Sequence, residues 1–419
     1  MDSSRPQLLI LADAPEALCT LFGISLLERL LRIVQRLGFR EAVIVSDSKE
    51  VATQLAVPSW ARADVALRFH RKNPVRVSDI IPGSDRTLVV SAGYYYDARL
   101  LQALAEEKAT TLLVDSVPPS DCARLWKNQS DAFGAAMLVD RNWLSRQNQD
   151  GALMDQLSAD AMAGRIQKFD AAEQPTYVTS LRKHVRPVFF PAPPPELLGV
   201  AEKFPRDAAQ NGVLDFPGVM NAPIENWIVA RLCRTSITPN QITILTMLVG
   251  LIVTALFASG HLWWGAVLAC AIGVLDGVDG KLARTKIETT AAGNWEHVID
   301  FGIELSWWTA LAVHFHTENL RSAYWLLLLL IGSDGVDRLA KRAVKQKVDR
   351  NLDDVSNFDR FVRCIGSRRN INIWILIAAL ALGDAVNGFV LICWWAAATA
   401  VTHVIRALQI RLGRPAAFL

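Results

Sequence analysis

The sequence predicts two domains in two solvents: an α/β domain with a doubly wound, mostly parallel sheet over residues 1–190, and an all-α bundle of six transmembrane helices over 220–419. Three observations predict this. Of 419 residues, 51% are hydrophobic, yet 20% are charged, a mixture that suits neither water nor lipid throughout. In the first half, short aliphatic runs alternate with helical patterns, as parallel strands and their crossover helices do. In the second half, apolar runs approach the length needed to cross a bilayer.

The strands are expected at 7–11, 42–46, 65–69, 87–91, 111–114 and 136–139. The clearest intervening helix runs over 25–37, with Arg and Gln on its outer face. Residues 191–219 are expected as a Pro-rich linker; the run PVFFPAPPP reads as extended and semi-rigid. The segment 204–234 is amphipathic and is expected along a membrane surface, with Trp227 at the interface and Arg231 and Arg234 toward headgroups. Spans are expected at 242–258, from 262, 294–314, from 324, 371–382 and 388–405. Cations crowd the loop between the fourth and fifth (Lys341, Arg342, Lys345, Lys347, Arg350, Arg360, Arg363, Arg368, Arg369), whereas the opposite loops carry Arg321 alone. The positive-inside rule therefore places that loop, both termini and the first domain in the cytoplasm, with the bundle in the inner membrane. The N-terminus has a short apolar run with acids soon after it and does not read as a signal peptide. Six scattered Cys have no zinc spacing. A net charge of +3 decides nothing about partners, and nothing points to nucleic acid.

Residues 276–300, DGVDGKLARTKIETTAAGNWEHVID, concentrate the chemistry. Asp276 and Asp279 are three apart and share a helix face; Glu296 and Asp300, four apart, share another. Ionisable groups at membrane depth are costly, so they mark function by default. Two helices offering paired carboxylates make a hard, oxygen-rich cage suited to Mg²⁺ or Mn²⁺. Gly277 and Gly280 leave room for a ligand beside the backbone, and Arg284 is in reach of a phosphate. His297 follows Glu296, about 100° round the axis, so it reads as a neighbour of the cage. The bland alternative is a salt-bridged helix pair without metal.

These residues resemble the signature of the CDP-alcohol phosphotransferase family, D-x2-D-G-x2-A-R, eight residues, G-x3-D-x3-D. Asp276, Asp279, Gly280, Ala283, Arg284 and Gly293 match it in spacing. His297 and Phe301 occupy the strict third and fourth acid positions; Glu296 and Asp300 lie one residue earlier, as after a one-residue loop shortening. The resemblance covers about 220–410. It implies a membrane phosphatidyltransferase-class enzyme in which an alcohol attacks the β-phosphorus of a CDP-alcohol and releases CMP. It implies Asp276, Asp279, Glu296 and Asp300 as ligands of Mg²⁺ or Mn²⁺, with Asp300 also the base. It implies Arg284 and Thr290 on the CDP phosphates, Asn240 and Thr243 beside the nucleotide, and a homodimer. Glu304, Arg360, Arg368 and Arg369 are acceptor-site candidates; the arginines equally suit topology-setting charge, and Thr238-Pro239 equally suits a helix start. The acceptor is a polyol, a polyol phosphate or a lipid. The rivals are an inactive membrane scaffold or sensor that binds CDP-linked lipid, and a cation transporter.

The stretch Phe22-Gly23-Ile24-Ser25-Leu26-Leu27-Glu28-Arg29 resembles the first helix of sugar-phosphate nucleotidyltransferases. The Gly-rich, basic loop of that family is missing: Leu11 is followed by Ala12-Asp13-Ala14-Pro15-Glu16, and Ala92-Gly93 stand where its metal Asp is expected, with Asp97 on the shoulder. A degenerate, nucleotidyltransferase-like domain is therefore expected. The fused architecture resembles enzymes that join an inositol-phosphate cytidylyltransferase to a di-inositol-phosphate-phosphate synthase.

Overall fold

The computed structural model describes residues 5–57, 59–71, 85–126, 133–140, 142–143, 159–288 and 293–413, with the side chains of 133–135 and 293–297 outside the description. Packing divides the chain into two compact units. One holds Met1–Thr176, Val185–Ala208 and Thr285–Thr289; the other holds Tyr177–His184, Ala209–Arg284 and Thr290–Leu419.

The first unit is built on a seven-stranded sheet: β1 (Gln7–Leu11), β2 (Glu41–Val45), β3 (Ala66–His70), β4 (Arg86–Ser91), β5 (Thr111–Val114), β6 (Phe133–Asp140) and β7 (Gln167–Asp170). Their order is β7-β5-β6-β4-β1-β2-β3, and every pairing is parallel except those of β6. Unbroken aliphatic runs form these strands because both faces are covered, and alternate side chains serve different layers. Leu8, Ile10, Ala42, Ile44, Leu88 and Val90 pack with α1 (Leu26–Arg36) and α2 (Ala98–Glu106). Leu9, Val43, Val45, Val89, Leu112 and Met137 fill the opposite face. Ser25 caps α1 by accepting from the Glu28 amide at 3.1 Å, which starts the helix where the sequence places it. The seventh strand escaped the sequence reading because it is a half-exposed edge, QKFD, with one large apolar residue.

Residues 191–219 are not a plain extended linker. Phe189–Pro191 pairs antiparallel with Tyr94–Tyr96, and α3 (Leu198–Ala209) follows. Phe190 stacks on Tyr95 with ring centroids 4.7 Å apart, and Phe204 of α3 packs on Phe190. The prolines do hold the backbone extended, but burial of these aromatics docks it.

The second unit is helical: α4 (Phe216–Leu232), α5 (Pro239–Ala258), α6 (Leu262–Lys286), α7 (Gly293–Thr317), α8 (Ala323–Val348), α9 (Asn357–Ile365), α10 (Arg369–Ala381) and α11 (Ala385–Arg411). Thr238 and Gln241 form a capping box around Pro239 at the start of α5. Aromatic and aliphatic side chains, among them Phe257, Trp307, Leu311, Phe315, Phe389 and Ile392, make the core. Outward positions stay apolar, with Ile244, Leu248 and Leu251 on α5 and Leu391, Trp394 and Val401 on α11 all exposed. Such surfaces belong in lipid. Helices lie at all six expected spans. By length and composition, three of the described helices can cross a membrane: α5, α6 and α11. The others fall short of that standard for visible reasons: α10 has 13 residues, and α7 and α8 carry acids along their length.

Candidate active site

Asp276 and Asp300, from α6 and α7, line one cavity of about 430 Å³. Its wall also contains Glu304 of α7, Asp334, Asp337, Arg338 and Lys341 of α8, Asp353 of the following loop, and Arg363, Arg368 and Arg369. The packing of helix ends explains the clustering: α8 supplies four charges at positions i, i+3, i+4 and i+7, which share one face.

Most of the predicted residues fall within the described structure. Arg369, the first residue of α10, donates to the Asp276 carboxylate at 2.8 Å. Asp279 is buried, and the Thr243 hydroxyl of α5 donates to it at 3.0 Å. Thr243 thus touches an expected metal ligand, whereas Asn240 lies exposed on the first turn of α5. Glu304 accepts from the Trp308 indole at 3.4 Å. Arg284 donates to the Ala209 carbonyl at 2.7 Å, and its guanidinium covers the space beside Gly280. Arg368 lies 3.6 Å from Asp215 and 3.8 Å from Asp353. Arg360 is bonded to Asp354 at 2.7 Å and does not line the cavity. Thr290 lies outside the described residues; Glu296 and His297 have a helical backbone, but their side chains are not described. Among the described residues, no three His, Cys, Asp or Glu side chains gather as a metal centre.

The space beside Gly277 has an occupant that the sequence did not reveal. A Cβ there would collide with the carboxylate of Glu225, which comes from α4 and pairs with Lys281 at 2.8 Å. Glu225 and Lys281 are both buried, and Lys281 also donates to Asn226 at 2.9 Å. Gly277 therefore admits a structural ion pair between helices.

Residues in the cavity wall, and one behind it, do not stand out in the sequence. His403 of α11 is buried against Asp337, which in turn pairs with Lys341 at 2.9 Å. Asp353 is buried, which raises a carboxyl, but Lys341, Arg368, Arg182 and His403 surround it and hold it below its usual range. No local motif marks these residues; the i, i+3, i+4 spacing on α8 is the one signal present.

The first unit has its own candidate place. Strand order reverses between β1 and β4, the switch point where open α/β sheets bind ligands. There, Ala12 and Ala92 are fully buried, and a Cβ on Gly93 would sit 3.0 Å from Glu16. Asp97 caps α2, accepting from the Arg99 amide at 3.0 Å and pairing with its guanidinium at 2.7 Å. Glu28 and Arg29 are engaged too: Glu28 pairs with Arg32 and Arg62, and buried Arg29 donates to the Leu21 carbonyl.

Residues 236–401 match the profile of the CDP-alcohol phosphatidyltransferase family. Two curated relatives are each named bifunctional IPC transferase and DIPP synthase. The Aquifex aeolicus protein is 32% identical over 143 residues, 33% of this chain and 32% of that one. The Thermococcus kodakarensis protein is 35% identical over 107 residues, 25% of this chain and 24% of that one. The chain thus spans about a third or less of the relatives it matches. Among solved structures, it is similar to Mycobacterium tuberculosis phosphatidylinositol phosphate synthase with CDP-DAG bound, at TM-score 0.33 and 22% identity over 46% of this chain and 92% of that one. It is also similar to the inositol-1-phosphate CTP transferase from T. maritima, at TM-score 0.33 and 10% identity over 48% and 96%. The helical half of this chain, over residues 236–401, is a CDP-alcohol phosphatidyltransferase domain.

Proposed function

We propose that the helical unit transfers the substituted phosphate of a CDP-alcohol to a hydroxyl acceptor and releases CMP. The observation that carries this is the shared cavity: within the matched domain, two acids of the signature region, Asp276 and Asp300, meet the same space as Arg368 and Arg369. The donor set is all oxygen, which fits Mg²⁺ or Mn²⁺ held by Asp276, Asp279, Glu296 and Asp300. A bound divalent cation there supplies charge neutralisation for the pyrophosphate and the leaving CMP.

The chain's own residues do the rest. Asp300 accepts the proton of the acceptor hydroxyl, whose oxygen forms a bond to the β-phosphorus. The bond from that phosphorus to the bridging oxygen breaks, and CMP leaves with the electron pair. Thr243 orients Asp279, and Arg369 orients Asp276. Arg284 and Thr290 hold the CDP phosphates, with Asn240 beside the nucleotide. The acceptor sits toward Glu304 and Arg368, where the cations favour an acceptor that bears phosphate. The unit works as a homodimer, with six helices in the inner membrane and the cavity on the cytoplasmic side, as the basic loop before α10 directs.

The test is release of CMP from a radiolabelled CDP-alcohol by the full chain in vesicles. Release that stops on chelation and returns with Mg²⁺ supports the reading. No release from any CDP-alcohol, with the donor still bound, leaves a sensor; cation flux without release leaves a transporter.

A further inference from the structure

Helix α6 carries Asp276, Asp279 and Arg284 and runs on to Lys286. Its last two residues, Thr285 and Lys286, pack as part of the first unit, together with the three that follow. The last carbonyls of a helix have no partner inside it, so a buried helix end must find donors elsewhere. Thr285 is 1% and Lys286 5% exposed, which leaves little room for water. Helix α1 supplies the donors instead. Arg29 donates to the Thr285 carbonyl at 3.0 Å, and Arg32 donates to the Lys286 carbonyl at 2.7 Å. The two arginines are three apart and share one face of α1. Their charge also opposes the negative end of the α6 dipole.

Both guanidiniums are held in place. Arg29 is buried, donates to the Leu21 carbonyl at 3.3 Å and lies 5.9 Å from the centre of the Tyr95 ring. Arg32 donates from Nε to Glu28 at 3.0 Å and pairs with Glu288, just beyond the helix, at 3.4 Å. Between them, Ile287 ends the helix at φ +54°, a left-handed backbone that a β-branched residue disfavours. Such a backbone persists where its surroundings over-determine it. Here the Ile287 side chain is buried and joins the hydrophobic core that contains Leu27, Leu30 and Leu31. The end of α6 is thus fixed at three successive residues, twice by charge and once by burial.

We propose that Arg29 and Arg32 are positioning residues for phosphate transfer: they cap α6 and hold its last turn, and so Arg284, in the place where it meets the CDP phosphates. This rests on the transfer reading above, which puts Arg284 on those phosphates. It gives the α/β unit a task that needs no nucleotide chemistry of its own. The motif stretch from Ser25 to Arg29 then persists because it builds the capping helix. Asp276 and Asp279 lie more than a turn deeper in α6, where intrahelical hydrogen bonds hold the backbone, so the cap acts on the nucleotide and not on the metal.

The experiment uses the full chain in phosphatidylcholine nanodiscs. Hydrogen exchange follows the amides of residues 283–288, and calorimetry measures the binding of CDP and of Mn²⁺. Arg32→Ala is expected to speed exchange in that segment about tenfold and to weaken CDP about tenfold, with Mn²⁺ affinity unchanged. Arg32→Lys keeps a charged donor and is expected to recover most of both losses. Arg62→Ala is the control: it removes the other partner of Glu28 without touching α6, and is expected to change neither readout. Should Arg32→Ala fail to fold, Arg32→Gln takes its place. Unchanged exchange in the Arg32 variant overturns the cap, and faster exchange with unchanged CDP affinity overturns the positioning role. Equal losses in Arg62→Ala do the same, because they reduce the effect to general loosening of the first unit. In each of these cases CDP binding by the wild-type chain leaves the transfer reading standing. A wild-type chain that binds no CDP, with exchange still dependent on Arg32, keeps the cap and overturns the transfer reading together with the positioning role.

Discussion

The switch point of the sheet and the cavity of the helical unit are furnished in opposite ways. At the switch point the sheet is complete, and small or already engaged side chains stand at the strand ends. Ala12 and Ala92 are buried, a side chain at position 93 would meet Glu16, and Asp97 caps a helix. In the cavity, carboxylates and cations converge from separate helices and a loop. The difference teaches that architecture and chemistry are carried by different residues. The sheet needs its alternate aliphatic side chains and nothing from its loops, so it persists when the loops change. The cavity needs individual charges, and each is held by a partner that would be costly to bury alone.

The largest effect that can break this contrast is at Asp300. Asp300→Asn keeps the shape but cannot accept a proton, so CMP release is expected to fall about 100-fold or more, with the protein still inserted and folded. Near-normal release would remove Asp300 from the role of base. Next is the ion pair under Gly277. Glu225→Ala leaves the Lys281 ammonium buried without its carboxylate, so the unfolding free energy in detergent is expected to drop by about 3 kcal/mol. An exposed pair such as Arg338–Asp334 gives the reference: Asp334→Ala is expected to cost under about 1 kcal/mol. Equal losses in the two variants would show that burial does not set the importance of these charges. A finer effect is expected at Thr243. Thr243→Val removes the donor to Asp279, and the Mg²⁺ concentration for half-maximal CMP release is expected to rise about tenfold. An unchanged Mg²⁺ requirement would detach Asp279 from the metal.

Much of this was legible in the sequence, and the boundary is physical. Strands β1 and β5 fall where the aliphatic runs place them, and α1 begins at its Ser25 cap, because local pattern alone sets them. That Asp276, Asp279 and Arg284 belong to one helix was visible because the apolar run before them leads straight into the charged segment. Glu225, Asp353, Arg182 and His403 were not visible, because each acquires its meaning from a partner far along the chain. Charge runs misled for the same reason. Lys281 sits among charged residues at the end of an apolar run, where a solvated cation would be the plain reading, but it is buried in an ion pair. Arg360 reads as an acceptor contact, but it is committed to Asp354. The linker was misjudged because proline content reports backbone shape and is silent about the burial of Phe189 and Phe190.

The smallest expected effect is at the switch point itself. Nucleotidyl transfer from CTP needs donors for the triphosphate, a cation and a carboxylate for its metal, all at the ends of β1 and β4. Here the segment after β1 closes as a short turn, Glu16–Leu18, and the position after β4 is a buried alanine. The full chain is therefore expected to release no pyrophosphate from CTP with any polyol phosphate. Gly93→Asp is expected not to restore release, because the new Cβ meets Glu16 at 3.0 Å and no Gly-rich loop faces it. The contact is with the Glu16 Cβ, so Glu16→Gly opens it, and that variant is expected to leave CMP release from a supplied CDP-alcohol unchanged. The double variant, Glu16→Gly with Gly93→Asp, is the sharper trial: it supplies both room and a carboxylate, yet still lacks the triphosphate donors, so pyrophosphate is expected to stay at background. Pyrophosphate release by the wild-type chain, abolished by a substitution at the ends of β1 or β4, would make the sheet a second catalytic domain and would erase the contrast between the two regions.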